Sequence, residues 1–214
     1  MISDLRFALR QFAKFPGFTL TAILTLALGL TANIYLFDLI DLFFFQPLPV
    51  QHPNRLAYVT QRHPGVELWS GVSWANYRDI RRGVPQFEDA VAIYFNAADI
   101  AVPGGKAERG WIEGDSGNYF SMLGIKPYLG RLFLPDEGEK PGADPIVVLS
   151  YDYWKTSLGG DRSIVGKAIQ INGKSMTVVG ITPPEFHSAQ WAMAPSAFVP
   201  ATMIGYLYSQ GDEM

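Results

Sequence analysis

The residues able to do chemistry in this 214-residue chain are few and scattered. The three histidines, His52, His63 and His187, have no partner two to four positions away, so no spacing for a metal site occurs. The chain has no cysteine, which excludes thiolate zinc sites, thiol nucleophiles, iron–sulfur clusters and disulfides. No GxSxG nucleophile turn and no GxxxxGK[ST] phosphate loop is present. Asp136, Glu137 and Glu139 cluster in LPDEGEKPG, where Pro, Gly and Lys140 predict a solvated loop rather than acid/base machinery. Trp69, Trp74, Trp111, Trp154 and Trp191 could stack a ligand, but their scatter predicts core anchors. No catalytic, cofactor-binding or metal-ligating residue is assigned, and the chain reads as a non-enzyme with no cofactor.

The element that must organise the rest is Phe18 to Phe37, twenty residues without charge or proline. As a helix it would span roughly 30 Å, the thickness of a bilayer's hydrocarbon core. Its polar members are mostly threonines, whose hydroxyls can bond back to their own helix. Arg6, Arg10 and Lys14 precede it against a single Asp4, whereas Asp38 and Asp41 follow it and no base occurs until Arg55. The positive-inside rule places the N-terminus in the cytoplasm and the remainder outside. A cleaved signal peptide fits less well, because the apolar run is too long and no small-x-small site closes it. Ser3 to Phe15 reads as a basic amphipathic helix for the inner leaflet, and Pro16-Gly17 as the break before the span. The membrane-interface residues are therefore Arg6, Arg10 and Lys14. Asp38 and Asp41, three apart on one helical face, mark an outer stalk that runs to Phe45 and ends at Pro47 and Pro49.

Formal charge is −3, and the segment before the span is basic, so the exported part is acidic and has no footprint for nucleic acid. It reads as a mixed α/β domain within an α+β chain. Strands are predicted over Leu56–Gln61, Ala107–Glu113, Ile146–Leu149, Ala168–Asn172 and Lys174–Ile181, with Arg109, Trp111 and Glu113 on one side of the second. Phe87–Phe95 is ambiguous between helix and strand. Helices are predicted from Ser73 to about Arg82, over Asn118–Leu123 with Gly124 as its stop, and after Ser150. Asp161 caps a turn. Asn172-Gly173 is the strongest hairpin signal, because both residues tolerate the positive φ of a type I′ turn. The tail after Pro200 carries no stop signal and is expected to run out without finishing a domain. The expected divisions are 1–17 amphipathic helix, 18–45 span and stalk, and 46–214 outer domain.

Two stretches carry a family likeness. DLRFALRQFAKFPGFTLTAILTLALGLTANIYLFDLIDLFFFQPLP resembles the first segment of MacB/FtsX-type ABC-transporter permeases. NYFSMLGIKPYLGRLFLPDE, with IVVLSYDYWKTSLGGDRSIVGKAIQINGKSMTVVGITPPEF, is similar to that family's extracytoplasmic core domain. The matching positions include Leu123, Gly124, Pro127, Gly130, Arg131, Phe133, Ser150, Trp154, Gly159, Gly160, Asp161, Gly166, Lys167, Asn172, Gly173, Gly180, Pro184 and Phe186. Within the family the likeness is greatest to duplicated orphan permeases of acidobacteria. The resemblance implies a permease subunit of an inner membrane, driven by a cytoplasmic ABC ATPase and paired with a second permease copy. It would act mechanically on an exported substrate through its outer domain. It also implies further spans, so the chain is expected to be the N-terminal part of a permease, with a truncated core domain. The alternative from the residues is a single-pass anchored extracytoplasmic binding module.

Overall fold

The computed structural model describes residues 12, 14–40, 50–61, 71–190 and 193–209. The chain divides into two compact units, Met1–Pro47 and Leu48–Met214.

In the first unit, helix α1 runs Pro16–Ile40. It is longer at both ends than the apolar run alone predicts. Pro16 begins the helix instead of breaking it, because a first-turn proline lacks only an N–H that would go unpaired there. The apolar side chains face outward all round, with Phe18 73% and Leu28 77% exposed. An apolar helix with no buried side is built for lipid. Its polar groups are satisfied internally: Thr21, Thr25 and Thr31 donate their hydroxyls to the carbonyls of Gly17, Thr21 and Ala27 at 2.7–2.9 Å. Asn33 does the same through Nδ2 to Gly29 at 2.9 Å.

The second unit is a sheet that closes on itself. Its strands are β1 (Ile93–Ala101), β2 (Glu108–Asp115), β3 (Leu129–Gly130), β4 (Ile146–Leu149), β5 (Ala168–Ile171), β6 (Lys174–Ile181) and β7 (Ala197–Pro200). The order is β3-β6-β4-β7-β2-β1-β5, and β5 also pairs with β6. Six strands therefore form a ring, with β3 attached to β6. The β1/β2 ladder runs antiparallel from Ile93↔Asp115 to Ile100↔Glu108. β2 joins β7 and β4 joins β6 in parallel, whereas β7/β4, β6/β5 and β5/β1 are antiparallel. Closure removes most free edges and leaves an interior narrow enough for side chains to fill.

Alternate residues of every ring strand meet inside. Ala98 and Ile100, Ile112, Val147 and Leu149, Ile169 and Ile171, Met176 and Val178, and Ala197 and Val199 belong to one buried cluster. The period of two of a strand's side chains sends these residues inward. The β5/β6 hairpin sets its register through Asn172 (φ 49°) and Gly173 (φ 75°), as the dipeptide predicts. Asn172 also ties the hairpin to its surroundings: Oδ1 accepts from Asp99 N (2.9 Å) and Nδ2 donates to Leu207 O (3.3 Å).

Of the tail after Pro200, residues 201–209 are described, and 210–214, where it is expected to run out, lie outside the described residues. Ala201–Met203 forms a 3-10 turn and α5 spans Ile204–Tyr208. Met203 (0% exposed) and Leu207 (2%) enter the interior cluster beside Trp154, which α4 (Tyr151–Thr156) supplies. Ser150 caps α4 as expected, accepting from Tyr153 N at 3.3 Å.

A second cluster covers the outside of β4 and β7. It is aromatic: Tyr119 and Phe120 of α3 (Tyr119–Leu123) join Phe133, Phe186 and Phe198. Phe120 and Phe198 meet edge to face at 5.4 Å between centroids, and Tyr119 and Phe186 at 6.1 Å. α2 (Trp74–Gly83), capped by Ser73, is joined to α3 by polar bonds. Arg81 pairs with Asp89 at 2.7 Å, Asn118 donates to Asp89 at 2.8 Å, and Tyr77 donates to Asn118 at 3.2 Å.

The expected strand Leu56–Gln61 does not form. Leu56–Thr60 makes no ladder, and Gln61 makes only an isolated bridge. The segment is instead an extended strap over the aromatic cluster. Gln51 N donates to Leu123 O at 2.9 Å, Leu56 packs against the cluster, and Tyr58 Oη donates to Ala189 O at 2.6 Å. Its apolar alternation suits one covered face, but the ring offers no free edge there. The ambiguous Phe87–Phe95 resolves as an irregular lead into β1, which begins at Ile93.

Candidate functional site

Strand β2 carries the most unusual chemistry of the described residues. Arg109, Trp111 and Glu113 alternate onto its outer side, as the pattern predicts, and Asp115, beyond the predicted strand, continues the row. They part company in burial. Arg109 is exposed and pairs with Asp99 at 3.3 Å, and Trp111 is 52% exposed, which overturns its expected role as a core anchor. Glu113 and Asp115 are 0% exposed. Their half of the strand lies under the aromatic cluster. Register places Phe95 and Phe198 beside Glu113, and Ile93 and Pro200 beside Asp115.

None of the four carboxyl oxygens has a hydrogen-bond partner at proper geometry among the described residues. An ionised acid without a partner in such surroundings costs several kcal/mol in order of magnitude. Burial accordingly raises Glu113 to about 7, while Ser188 and Tyr119 hydroxyls nearby pull it down. Asp115 is raised well above the ordinary carboxyl range, by burial first and then by the charge of Glu113. Two acids this close share protons as a pair, and full ionisation of both is disfavoured. Tyr119 accepts from Ala189 N at 3.0 Å, which leaves its own proton to donate. Burial raises Tyr58 and Tyr119 as well, and the charge of Glu113 adds to both.

Two clefts open elsewhere. One of about 290 Å³ is lined by Arg109, Ser150, Asp152, Tyr153, His187 and Ser196. His187 Nδ1 lies 3.2 Å from Asp152 Oδ2, with both side chains more than half exposed. The Ser150 hydroxyl is committed, donating to Ser196 O at 3.2 Å and capping α4. The other cleft, of about 460 Å³, is bordered by Lys126, Tyr128, Pro183, Pro184 and Glu185. Among the described residues, no three of His, Asp and Glu gather as metal ligands.

The residues singled out in the sequence fare differently. Lys14 and Asp38 are exposed and helical, one before and one within α1. Arg6, Arg10 and Asp41, together with His63, Trp69, Trp191 and most of the amphipathic helix and stalk, lie outside the described residues. Trp154 is a core anchor at 3% exposed, and Trp74 stacks on Tyr77 at 4.9 Å. Glu137 is not a solvated loop acid. It takes two bonds from Arg131 (2.7 and 2.8 Å) and one from Leu134 N (2.8 Å), so it pins the turn after β3. These bonds hold Glu137 below its usual range despite partial burial, which acts the other way. Asp161 caps its turn as expected, accepting from Ser163 N at 2.8 Å. The acid pair itself escaped sequence reasoning. Its signal is Glu-Gly-Asp continuing an apolar strand, but alternation alone cannot say which half of a face is covered.

A family model described as "MacB-like periplasmic core domain" matches residues 19–213. No curated protein sequence matches. Among solved structures, the fold is similar to the periplasmic region of MacB from Actinobacillus actinomycetemcomitans (TM-score 0.51, 16% identity, 64% of this chain and 58% of that one). It is also similar to the extracellular domain of the noncanonic ABC-type transporter YknZ from Gram-positive bacteria (TM-score 0.52, 15% identity, 64% and 66%). The chain thus spans about three fifths of the length of these relatives.

Proposed function

Because the chain belongs to the MacB-like periplasmic core domain family, we propose that it serves as a permease subunit of an ABC transporter. In this reading α1 anchors it in the inner membrane with the N-terminus in the cytoplasm. The closed barrel stands outside and moves as a body when a cytoplasmic ATPase drives two permease copies together. The barrel performs no catalysis and binds no cofactor; it transmits displacement to an exported substrate or its carrier. The observation that carries this reading is the joining, in one chain, of an all-round apolar helix to a closed, densely filled barrel of this family. Such a barrel resists internal shear, because each strand is hydrogen-bonded on both sides. The basic residues Arg6, Arg10 and Lys14 before α1, with Asp38 in its last turn and Asp41 after it, support the orientation. The alternative, an anchored binding module, has in its favour the two clefts, each with a single tyrosine in its lining.

The lack of cysteine makes the test direct. In intact spheroplasts, a membrane-impermeant maleimide should label Ser175→Cys at once and Ser3→Cys only after lysis. The reverse pattern overturns the orientation. Arg6→Glu, Arg10→Glu and Lys14→Glu together should make Ser175→Cys partly inaccessible. For the coupling, chemical cross-linking in native membranes should recover an ABC ATPase with the chain; its absence would remove the transporter reading.

A further inference from the structure

Asn33 is the one carboxamide in α1, and its own helix satisfies only part of it. Nδ2 donates to Gly29 O at 2.9 Å. The second amide hydrogen and the Oδ1 oxygen have no hydrogen bond to the described residues. The threonines differ, because a hydroxyl has one proton, and Thr21, Thr25 and Thr31 all donate it within the helix. Asn33 lies inside the uncharged run, about 6 Å of helical rise before its end at Phe37. Its side chain is too short to carry the amide out of the hydrocarbon as a lysine carries its ammonium. Lipid tails offer it neither a donor nor an acceptor.

A second observation falls on the same face. Gly29, one turn before Asn33, has nothing within 4 Å of where a Cβ would stand. No packing among the described residues therefore calls for glycine there, although glycine weakens a helix interior more than any residue but proline. Its use is outward: a missing side chain lets another backbone come close. Ala22, Leu26, Gly29, Asn33 and Leu36 are spaced four, three, four and three apart, which is the seam of a helix pair.

We propose that this seam packs α1 against α1 of a second copy of the chain, with the two Asn33 side chains exchanging amide hydrogen bonds beside the two Gly29 positions. The inference deepens the proposed pairing of permease copies, and rests on it only in taking α1 as a span inserted the same way in both. Two copies related by a two-fold axis along the membrane normal place Asn33 at one depth in each, so the residue at the axis meets itself. A carboxamide suits that place because its unused groups are one donor and one acceptor, complementary to their own copy. Among the described residues α1 is the only helix long and apolar enough to span a bilayer, so no other span of the described chain is present to take the amide.

The test uses the full chain in native membranes, where the absence of cysteine makes each introduced thiol unique. Under mild oxidation, Leu26→Cys and Leu36→Cys on the seam should give disulfide-linked dimers, and Leu24→Cys and Tyr35→Cys on the opposite face should give about fivefold less or lower. In the Leu26→Cys background, Asn33→Leu should cut the dimer yield about threefold to tenfold, and Gly29→Ile should cut it similarly. Asn33→Leu makes the span more apolar and should leave maleimide labelling of Ser175→Cys unchanged. Asn33→Gln keeps both the donor and the acceptor and should retain most of the yield. Equal yields from the two faces, or a yield indifferent to Asn33→Leu, overturn the contact. Seam thiols captured by a different protein in place of dimers overturn it too, by naming another occupant. Seam-specific dimers without a recoverable ATPase would sink the transporter reading and leave the contact standing; an ATPase recovered with face-independent cross-linking would do the reverse.

Discussion

The two faces of β2 teach different lessons from the same strand. Inward, Ile112 joins an apolar cluster to which all six ring strands contribute. Outward, one and three positions further along, Glu113 and Asp115 lie equally buried, with no hydrogen bond of proper geometry to either among the described residues. The inner face is what a closed barrel requires, because its volume is fixed by strand number and must be filled. The outer face is covered by a helix, a loop and a strap, elements that can be displaced without breaking a ladder. The first face is apolar packing, and the second carries buried acids whose protonation depends on their cover.

The contrast breaks most sharply at the interior. Ile112→Ala should lower the stability of the outer unit by about 2–5 kcal/mol in chemical denaturation, at the upper end if the ring cannot collapse around the cavity. A loss under about 1 kcal/mol would mean the ring is not a rigid closed wall. On the other face the sign reverses. Glu113→Gln with Asp115→Asn should stabilise the fold above pH 7, by on the order of 3 kcal/mol, and change little near pH 4. Denaturation midpoints at the two pH values check this, and a variant less stable at both would show that the acids have partners after all.

A smaller effect sharpens the comparison with an acid whose partners are in place. Glu137 is held by Arg131 and by Leu134 N, and its carboxyl is lowered rather than raised. Its contribution is present above the free carboxyl value and is lost as pH falls through its lowered value, opposite in sign to Glu113 and Asp115. Glu137→Ala should cost about 1–2 kcal/mol at neutral pH and almost nothing near pH 2. Equal costs at both pH values would mean that Glu137 acts by packing and not by charge.

Much of the fold was legible in local signals. Ser73, Ser150 and Asp161 cap where their hydrogen-bonding side chains predict, and Asn172-Gly173 turns the hairpin, because caps and tight turns are decided within a few residues. Leu56–Gln61 misled for the converse reason: an alternating segment becomes a strand only where an edge is open to it. Trp111 of β2 and Trp154 of α4 both read as core anchors in the sequence, yet one faces solvent and the other is buried. Glu137 looked solvated because nothing in LPDEGEKPG reveals that Arg131 folds back onto it.

By itself, the sequence determined the apolar helix, its flanking charges, the absence of thiol chemistry and the likeness to a permease family. These follow from composition, length and short-range order, which need no partner distant in the chain. Only the tertiary structure decided that β5 closes the ring by also pairing with β1, that Met203 and Leu207 enter the interior, and that Glu113 and Asp115 are buried together. Those are contacts between segments tens of residues apart, and the dielectric around a carboxyl group is set by what covers it, not by its neighbours in sequence.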